Sequence, residues 1–179
     1  MIVDDFNVYK LSNIVRYNQQ NKISHESVAE HSFYVMWFIN RLCTKYELDD
    51  KIRLLSLEAG LLHDIPEVIT NDITYDVKRM VPEVCALLQP YEEETILEHS
   101  PRAHKILFNP ETKEEKLAKK IVKHADILSV MQYCQHEERL GNKNFIELST
   151  ATEKRLVTSR QELMFEIQSY YKEEHNAKE

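Results

Sequence analysis

Two glycines in 179 residues leave this chain almost no material for tight hairpin turns, and that scarcity favours helices over sheets. Sustained strand alternation appears nowhere, whereas apolar residues recur near the helical period through most of the sequence. Hydrophobic residues at 42% and charged residues at 30% give a globular balance, and the length suits one domain with a core that needs no staples. No repeat, low-complexity stretch or linker divides the chain. The expectation is a compact all-α bundle forming a single domain over residues 1–179.

The helix boundaries carry chemical signatures. Ser27-Val28-Ala29-Glu30 fits the S-x-x-E capping box, in which the serine oxygen and the glutamate satisfy exposed amides at a helix start. A helix over 28–45 should follow, with Val28, Val35, Met36, Ile39, Leu42, Cys43 and Tyr46 on one stripe. Phe33, Trp37 and Phe38 would broaden that stripe as core residues rather than serve as a base-stacking platform. Asp49 or Asp50 can cap the next helix, which runs through Leu54, Leu55, Ala59 and Leu62 into His63-Asp64-Ile65-Pro66. Pro66 lacks an amide proton and restricts its predecessor, so this helix should bend or stop close to His63 and Asp64. Pro82, Pro90, Pro101 and Pro110 should cut the middle of the chain into short helical pieces. Thr112 and Glu115 form a second capping box, opening a long amphipathic helix that ends at Gly141 in a left-handed cap. Thr150 and Glu153 form a third, starting a final helix whose Lys/Glu tail after Tyr171 should fray.

Composition narrows the partners. No apolar run approaches the roughly 18–20 residues needed to span a bilayer, and the opening MIVDDFNVYK lacks a signal-peptide pattern, so a cytoplasmic protein is expected. Cys43, Cys85 and Cys134 are odd in number and far apart, which suggests buried free thiols rather than disulfides or a zinc knuckle. A net charge of −7 argues against a nucleic-acid polymer, while a small phosphorylated substrate can still find a basic pocket.

Three places put imidazoles and carboxylates on otherwise apolar helices: His31, the His63-Asp64 pair, and Asp126. Together they can make one metal site, because neutral imidazole and carboxylate suit divalent transition metals and a mixed set leaves positions open for water and substrate. Each also has a plainer reading. His31 can be a satisfied core histidine, and Asp126 can form a structural ion pair with Lys123 or Arg139. The pair beside Pro66 is costly to place on so apolar a helix unless something compensates it.

The order His, then His-Asp, then Asp on successive helices resembles the HD superfamily of metal-dependent phosphohydrolases. More narrowly, Glu30-His31-Ser32, His63-Asp64-x-x-Glu67-Val68-x-Thr70-x-Asp72 and Lys123-x-Ala125-Asp126 resemble the YfbR-type 5′-deoxynucleotidases, over about Leu11 to Phe145. The resemblance implies an HD-type bundle in which His31, His63, Asp64 and Asp126 bind one divalent metal cation. It also implies that Arg16 and Tyr17 contact the phosphate and nucleoside, with Tyr17 standing where a tryptophan is common. Glu67 and Asp72 carry over as active-site residues.

Those roles are physically coherent. A divalent ion lowers the pKa of bound water from near 15.7 to about 7. Glu67 lies one turn beyond His63 and Asp64, where it can relay a proton or merely cap a helix end. Arg16 offers a planar fork for phosphate oxygens. Asp72 can accept a sugar hydroxyl, and Lys78 can add positive potential or remain a solvated surface lysine. Tyr75-Asp76-Val77-Lys78 departs from the Thr-Pro that relatives often carry ahead of Val-Lys, so the substrate-facing loop can differ. His99 and His104 read as exposed and His124 as a helix-surface or supporting residue, although later histidines can also build a two-metal site. The function implied is hydrolysis of a deoxynucleoside monophosphate to nucleoside and phosphate. The alternatives are a phage-type deoxynucleoside triphosphate (dATP) phosphohydrolase, an alarmone hydrolase, which would carry Glu-Asp where this chain has Glu67-Val68, and a non-catalytic nucleotide-binding sensor. Long apolar faces favour a homo-oligomer.

Overall fold

A computed structural model describes residues 5–176, apart from the side chains of 5, 6, 75, 76 and 173–176. A helical turn, α1 (Asp5–Val8), and a 3-10 turn (Tyr9–Ser12) lead into a loop that carries Arg16 and Tyr17. The Ser27 capping box then forms as expected: Ser27 Oγ accepts the Glu30 amide at 3.2 Å, the Glu30 carboxylate accepts the Ser27 amide at 2.7 Å, and α2 spans Val28–Lys45. Asp49, not Asp50, caps α3 (Asp50–Leu62), its carboxylate accepting the Ile52 amide at 2.8 Å. The chain turns through His63–Pro66, resumes as the short α4 (Glu67–Thr70), and continues as α5 (Tyr75–Met80), α6 (Pro82–His99), α7 (Pro101–Phe108) and α8 (Lys113–Arg139). A 3-10 turn (Lys143–Phe145) passes directly into α9 (Ile146–Asn176). Among the described residues there is no strand, only an isolated antiparallel bridge between Val15 and Ser27.

Helix α8 runs through the middle and packs against α2, α3, α7 and α9. Its Leu117, Ala118, Ile121 and Ala125 meet Val28, Val35 and Ile39 of α2, Ile52 and Ala59 of α3, Ile106 of α7 and Leu163 of α9 in one buried core. Gly60 lets α2 and α3 approach closely, since a Cβ there would collide with the fully buried Ile39 side chain. Gly141 adopts φ +89° just after the end of α8, the left-handed position that its sequence predicted.

The far end of α8 anchors the loop before α2. The Glu137 carboxylate, sealed from solvent, accepts the Ile23 amide (2.8 Å), the Ser24 amide (2.6 Å), Ser24 Oγ (2.5 Å), Asn142 Nδ2 (2.6 Å) and Tyr133 Oη (3.3 Å). A small cluster of Val130, Tyr133, Cys134 and Phe145 seats Tyr17 beside this clamp.

Several sequence expectations fail, each for an identifiable physical reason. Pro90 lies inside α6 rather than ending a helix; Pro90 and Ala86 are both exposed, so water can serve the carbonyl that the missing N–H leaves. Thr150 is not a cap but an interior residue of α9, its hydroxyl donating to the Ile146 carbonyl at 2.9 Å. Of the tail expected to fray after Tyr171, the backbone to Asn176 is helical, and residues 177–179 lie outside the described residues. Phe33 and Trp37 are 57% and 51% exposed, because α3 and α8 cover only the opposite α2 face of Val28, Val35, Ile39 and Leu42. Cys43 and Cys134 are buried, Cys85 only partly.

Candidate metal centre and substrate cleft

Three structural devices converge on one point. The α2 capping box places His31 at the fourth position of its helix, pointing inward and fully buried. The turn before Pro66 delivers His63 and Asp64 from the end of α3, and Asp126 projects from the middle of α8. His31 Nε2 lies 3.2 Å from Asp126 Oδ1 and 3.4 Å from Asp64 Oδ2, and His63 Nε2 lies 3.2 Å from the same Asp64 oxygen. His31, His63 and Asp64 each offer a ligand atom within 4.8 Å of the others, and Asp126 joins them through His31.

The outer nitrogens of both rings are committed. His63 Nδ1 lies 2.7 Å from the Gly60 carbonyl, which only accepts, so a neutral His63 carries its proton there and leaves a lone pair on Nε2. His31 Nδ1 contacts Ser129 Oγ at 3.0 Å, one turn beyond Asp126 on α8. Both Nε2 atoms are buried without a hydrogen-bond partner. Imidazoles oriented by an outer partner, with bare inner nitrogens facing two carboxylates, fit a divalent cation.

The same negative cluster that suits a cation also attracts a proton, which a bound metal would displace from His63. Burial pushes His63 down, but Asp64 and, more weakly, Asp126 outweigh it and lift the imidazole to about 9. His31 is driven down by burial and by Arg16. Asp64 stays below the usual carboxylate range despite burial, held there by His63, His31 and Arg16, and Asp126 is lowered against burial chiefly by His31. Glu67 behaves in the opposite way: burial, then the negative fields of Asp64 and Asp72, raise it to about 9, and its Oε2 is buried without a partner.

Two members of the cluster, Asp64 and Asp126, line a cleft of about 210 Å³ together with Arg16, Tyr17, Glu67, Asp72 and Lys78, among others. Tyr17 is held in a left-handed conformation (φ 57°); its amide donates to Asp72 Oδ2 at 3.3 Å and its ring stacks on Tyr133 with centroids 4.6 Å apart. That stack fixes a cleft wall. Lys78 is exposed yet borders the cleft, so neither of its two readings excludes the other. The side chains of Tyr75 and Asp76 lie outside the described residues, but their backbone opens α5.

The plainer readings of Asp126 lose their partners, since Lys123 pairs with Glu162 of α9 at 2.9 Å and Arg139 sits at the far end of α8. His124 is buried rather than on the helix surface, its Nδ1 2.8 Å from Ser159 Oγ of α9. His99 and His104 are half-buried rather than exposed, with His99 Nδ1 on the Thr95 carbonyl and His104 facing Glu93. Sequence reasoning missed Ser129, which the i+3 spacing from Asp126 could have flagged, and Arg155, which α9 brings to the cleft with no local signal.

Comparison with known proteins agrees with this geometry. The chain is 27% identical to a 5′-deoxynucleotidase of Citrobacter koseri over 165 residues, covering 87% of this chain and 82% of that protein. It is 26% identical to a 5′-deoxynucleotidase of Photobacterium profundum, covering 83% and 81%. Among solved structures, the cyanophage S-2L HD phosphohydrolase DatZ, bound to dA and one catalytic Zn2+ ion, superposes with a TM-score of 0.66 at 20% identity, covering 97% of this chain and 99% of that one. A Pyrococcus horikoshii protein superposes with a TM-score of 0.69 at 21% identity, covering 93% and 98%. These likenesses place the chain in the HD fold. The family described as 5′-deoxynucleotidase YfbR-like matches residues 6–175, nearly the whole sequence, and the chain therefore belongs to the YfbR-like 5′-deoxynucleotidase family.

Proposed function

We propose that this chain is a metal-dependent 5′-deoxynucleotidase that hydrolyses a deoxynucleoside monophosphate to nucleoside and phosphate, acting as one HD phosphohydrolase domain. The observation that carries the reading is the pair of buried, partnerless Nε2 atoms of His31 and His63 facing Asp64 and Asp126, two carboxylates that line a cleft together with Arg16. His31, His63, Asp64 and Asp126 would hold one divalent cation. When bound, such an ion supplies an acidified water and draws charge from the phosphoryl oxygens.

The chain's own residues do the rest. The Arg16 fork binds two phosphate oxygens and stabilises the charge that grows on them. As the water oxygen bonds to phosphorus and the P–O5′ bond breaks, Glu67 gives its proton to the departing 5′ oxygen and regains one from the water, a role suited to a carboxyl held protonated at neutral pH. Asp72 and the stacked Tyr17 shape the sugar end of the cleft, and Lys78 adds positive potential at its rim.

A second reading, phosphohydrolysis of a deoxynucleoside triphosphate, draws support from Lys78 and Arg155, two further cations bordering the cleft. The monophosphate reading is preferred because the family that matches nearly the whole chain is described as 5′-deoxynucleotidase. No helix among the described residues is long and apolar enough to cross a membrane, and the charge of −7 disfavours nucleic-acid polymers, so the proposed setting is cytoplasmic with a small-molecule substrate. The exposed Phe33 and Trp37 support a homo-oligomer, which light scattering tests.

The deciding experiment incubates metal-loaded protein with the deoxynucleoside mono- and triphosphates and identifies the products. Phosphate released from monophosphates supports the reading, consumption of triphosphates alone replaces it with the second, and binding without turnover replaces both with a sensor.

A further inference from the structure

Arg16 has two sets of carboxylates to choose between. Asp64 and Asp126, the proposed metal ligands, line the cleft with it, whereas Glu26 acts on its charge from outside that lining. Among the described residues, Glu26 is the carboxylate in ion-pair contact with Arg16, its Oε2 3.5 Å from Nη1, and their side chains are only 5% and 12% exposed. The backbone fixes this neighbourhood independently of the side chains. The Arg16 amide donates to the Glu26 carbonyl at 2.9 Å, the Val28 amide donates to the Ile14 carbonyl at 2.9 Å, and the Val15–Ser27 bridge lies between. Residues 14–16 and 26–28 therefore form a short antiparallel pair that keeps Glu26 beside Arg16 however the guanidinium turns.

We propose that Glu26 is a positioning residue that tethers Arg16 to the cleft wall, aiming its fork at the substrate phosphate and keeping the guanidinium off Asp64 and Asp126. This rests on reading the cleft as a phosphohydrolase site. A long, flexible cation beside two metal-binding carboxylates is a competitor for the metal, and an opposing charge on its other side restrains that reach, in addition to the Tyr17 ring 5.3 Å from the guanidinium. A partner that is anchored through its own backbone is well placed to supply the restraint. The ligand that arrives is then met by a fork already turned outward, which reduces the ordering cost of binding.

The test uses the full chain as wild type, Glu26→Gln, Glu26→Asp, Arg16→Ala and the double variant Arg16→Ala/Glu26→Gln. Two quantities are measured: kcat and KM on whichever deoxynucleoside monophosphate the wild type hydrolyses fastest, and Co2+ affinity by calorimetry without substrate. Loss of one charge-assisted partner predicts that Glu26→Gln raises KM about tenfold while kcat falls by less than about threefold, with Glu26→Asp in between. Co2+ affinity should weaken about three- to tenfold in Glu26→Gln, and the double variant should bind Co2+ as Arg16→Ala does, because no guanidinium remains to invade the site. An unchanged KM in folded Glu26→Gln, or a Co2+ defect that persists without Arg16, overturns the proposal. Should Glu26→Gln fail to fold, Glu26→Asp carries the same comparison. A wild type that turns over no monophosphate refutes the functional reading instead, and the Co2+ comparison still decides the role of Glu26.

Discussion

Replacing Glu137 by glutamine tests whether the far end of α8 really anchors the loop that presents Arg16 and Tyr17. Glutamine keeps the shape of the side chain but turns one carboxylate oxygen into an NH2 donor. Oε2 accepts the Ile23 amide and Asn142 Nδ2, while Oε1 accepts the Ser24 amide, Ser24 Oγ and Tyr133 Oη. Facing one way, the new NH2 meets the Ile23 amide and Asn142 Nδ2. Facing the other, it meets the Ser24 amide, while the Ser24 hydroxyl can turn to accept and Tyr133 Oη keeps its 2.9 Å bond to the Ser24 carbonyl. In either case the remaining bonds lose their charged acceptor. Hydrogen bonds to a charged group contribute about 1.5–3 kcal/mol each and add less than fully within one network, so the substitution should cost about 3–4 kcal/mol.

Proton linkage expresses the same bonds as a dependence on pH. Desolvation pushes the Glu137 carboxyl up, and the bonds from Ser24, the Ile23 amide and Asn142 together outweigh it and hold it at about 2 instead of 4.5. That depression corresponds to about 3 kcal/mol of stability. Because the folded-state value is the lower one, this stability is complete above pH 4.5 and is lost as pH falls toward 2. Urea unfolding followed by circular dichroism at pH 7 should show the loss, with a melting point about 6–12 °C lower for a chain of this size. The difference between wild type and variant should shrink below pH 4.5. Glu138→Gln, one residue along and exposed, should change stability by less than about 0.5 kcal/mol. A Glu137→Gln cost under about 1 kcal/mol, or a difference that does not narrow in acid, would refute the clamp.

Asp64→Ala should abolish both retention of a divalent metal after gel filtration, read by elemental analysis, and turnover, because the removed oxygen faces both inner nitrogens; full activity would show that the assigned centre is wrong. Glu67→Gln should leave metal content unchanged and lower kcat by about 10²–10³-fold, the range expected for loss of a proton donor, while loss of metal would make it a ligand instead. Gly60→Ala should cost about 1–3 kcal/mol in urea unfolding, since Ile39 is fully enclosed and has no room to retreat.

The sequence by itself determined the helical class, the ends of α2 and α3, and the order of the four metal-type residues. Those features depend on chemistry within a few neighbours: a serine and glutamate three apart, an aspartate at a cap, a proline that ends a run, a glycine past the last turn. The same local reasoning failed where distant partners decide. Whether Phe33 and Trp37 are core depends on which face of α2 is covered by α8, and whether Thr150 caps a helix depends on how the turn at Lys143–Phe145 feeds α9.

At the site the division is similar. His31, His63, Asp64 and Asp126 were legible as residue types on apolar helices, but their approach to within 3.2–3.4 Å is a consequence of α2, α3 and α8 packing about one core. Ser129 and the Gly60 carbonyl choose the ring nitrogens, Asp72 and Tyr133 fix Tyr17, Glu26 flanks Arg16, and α9 contributes Arg155. A sequence records which groups can bond; only the packed chain decides which lone pairs are left over, because that depends on what has already been satisfied by residues far away in the chain.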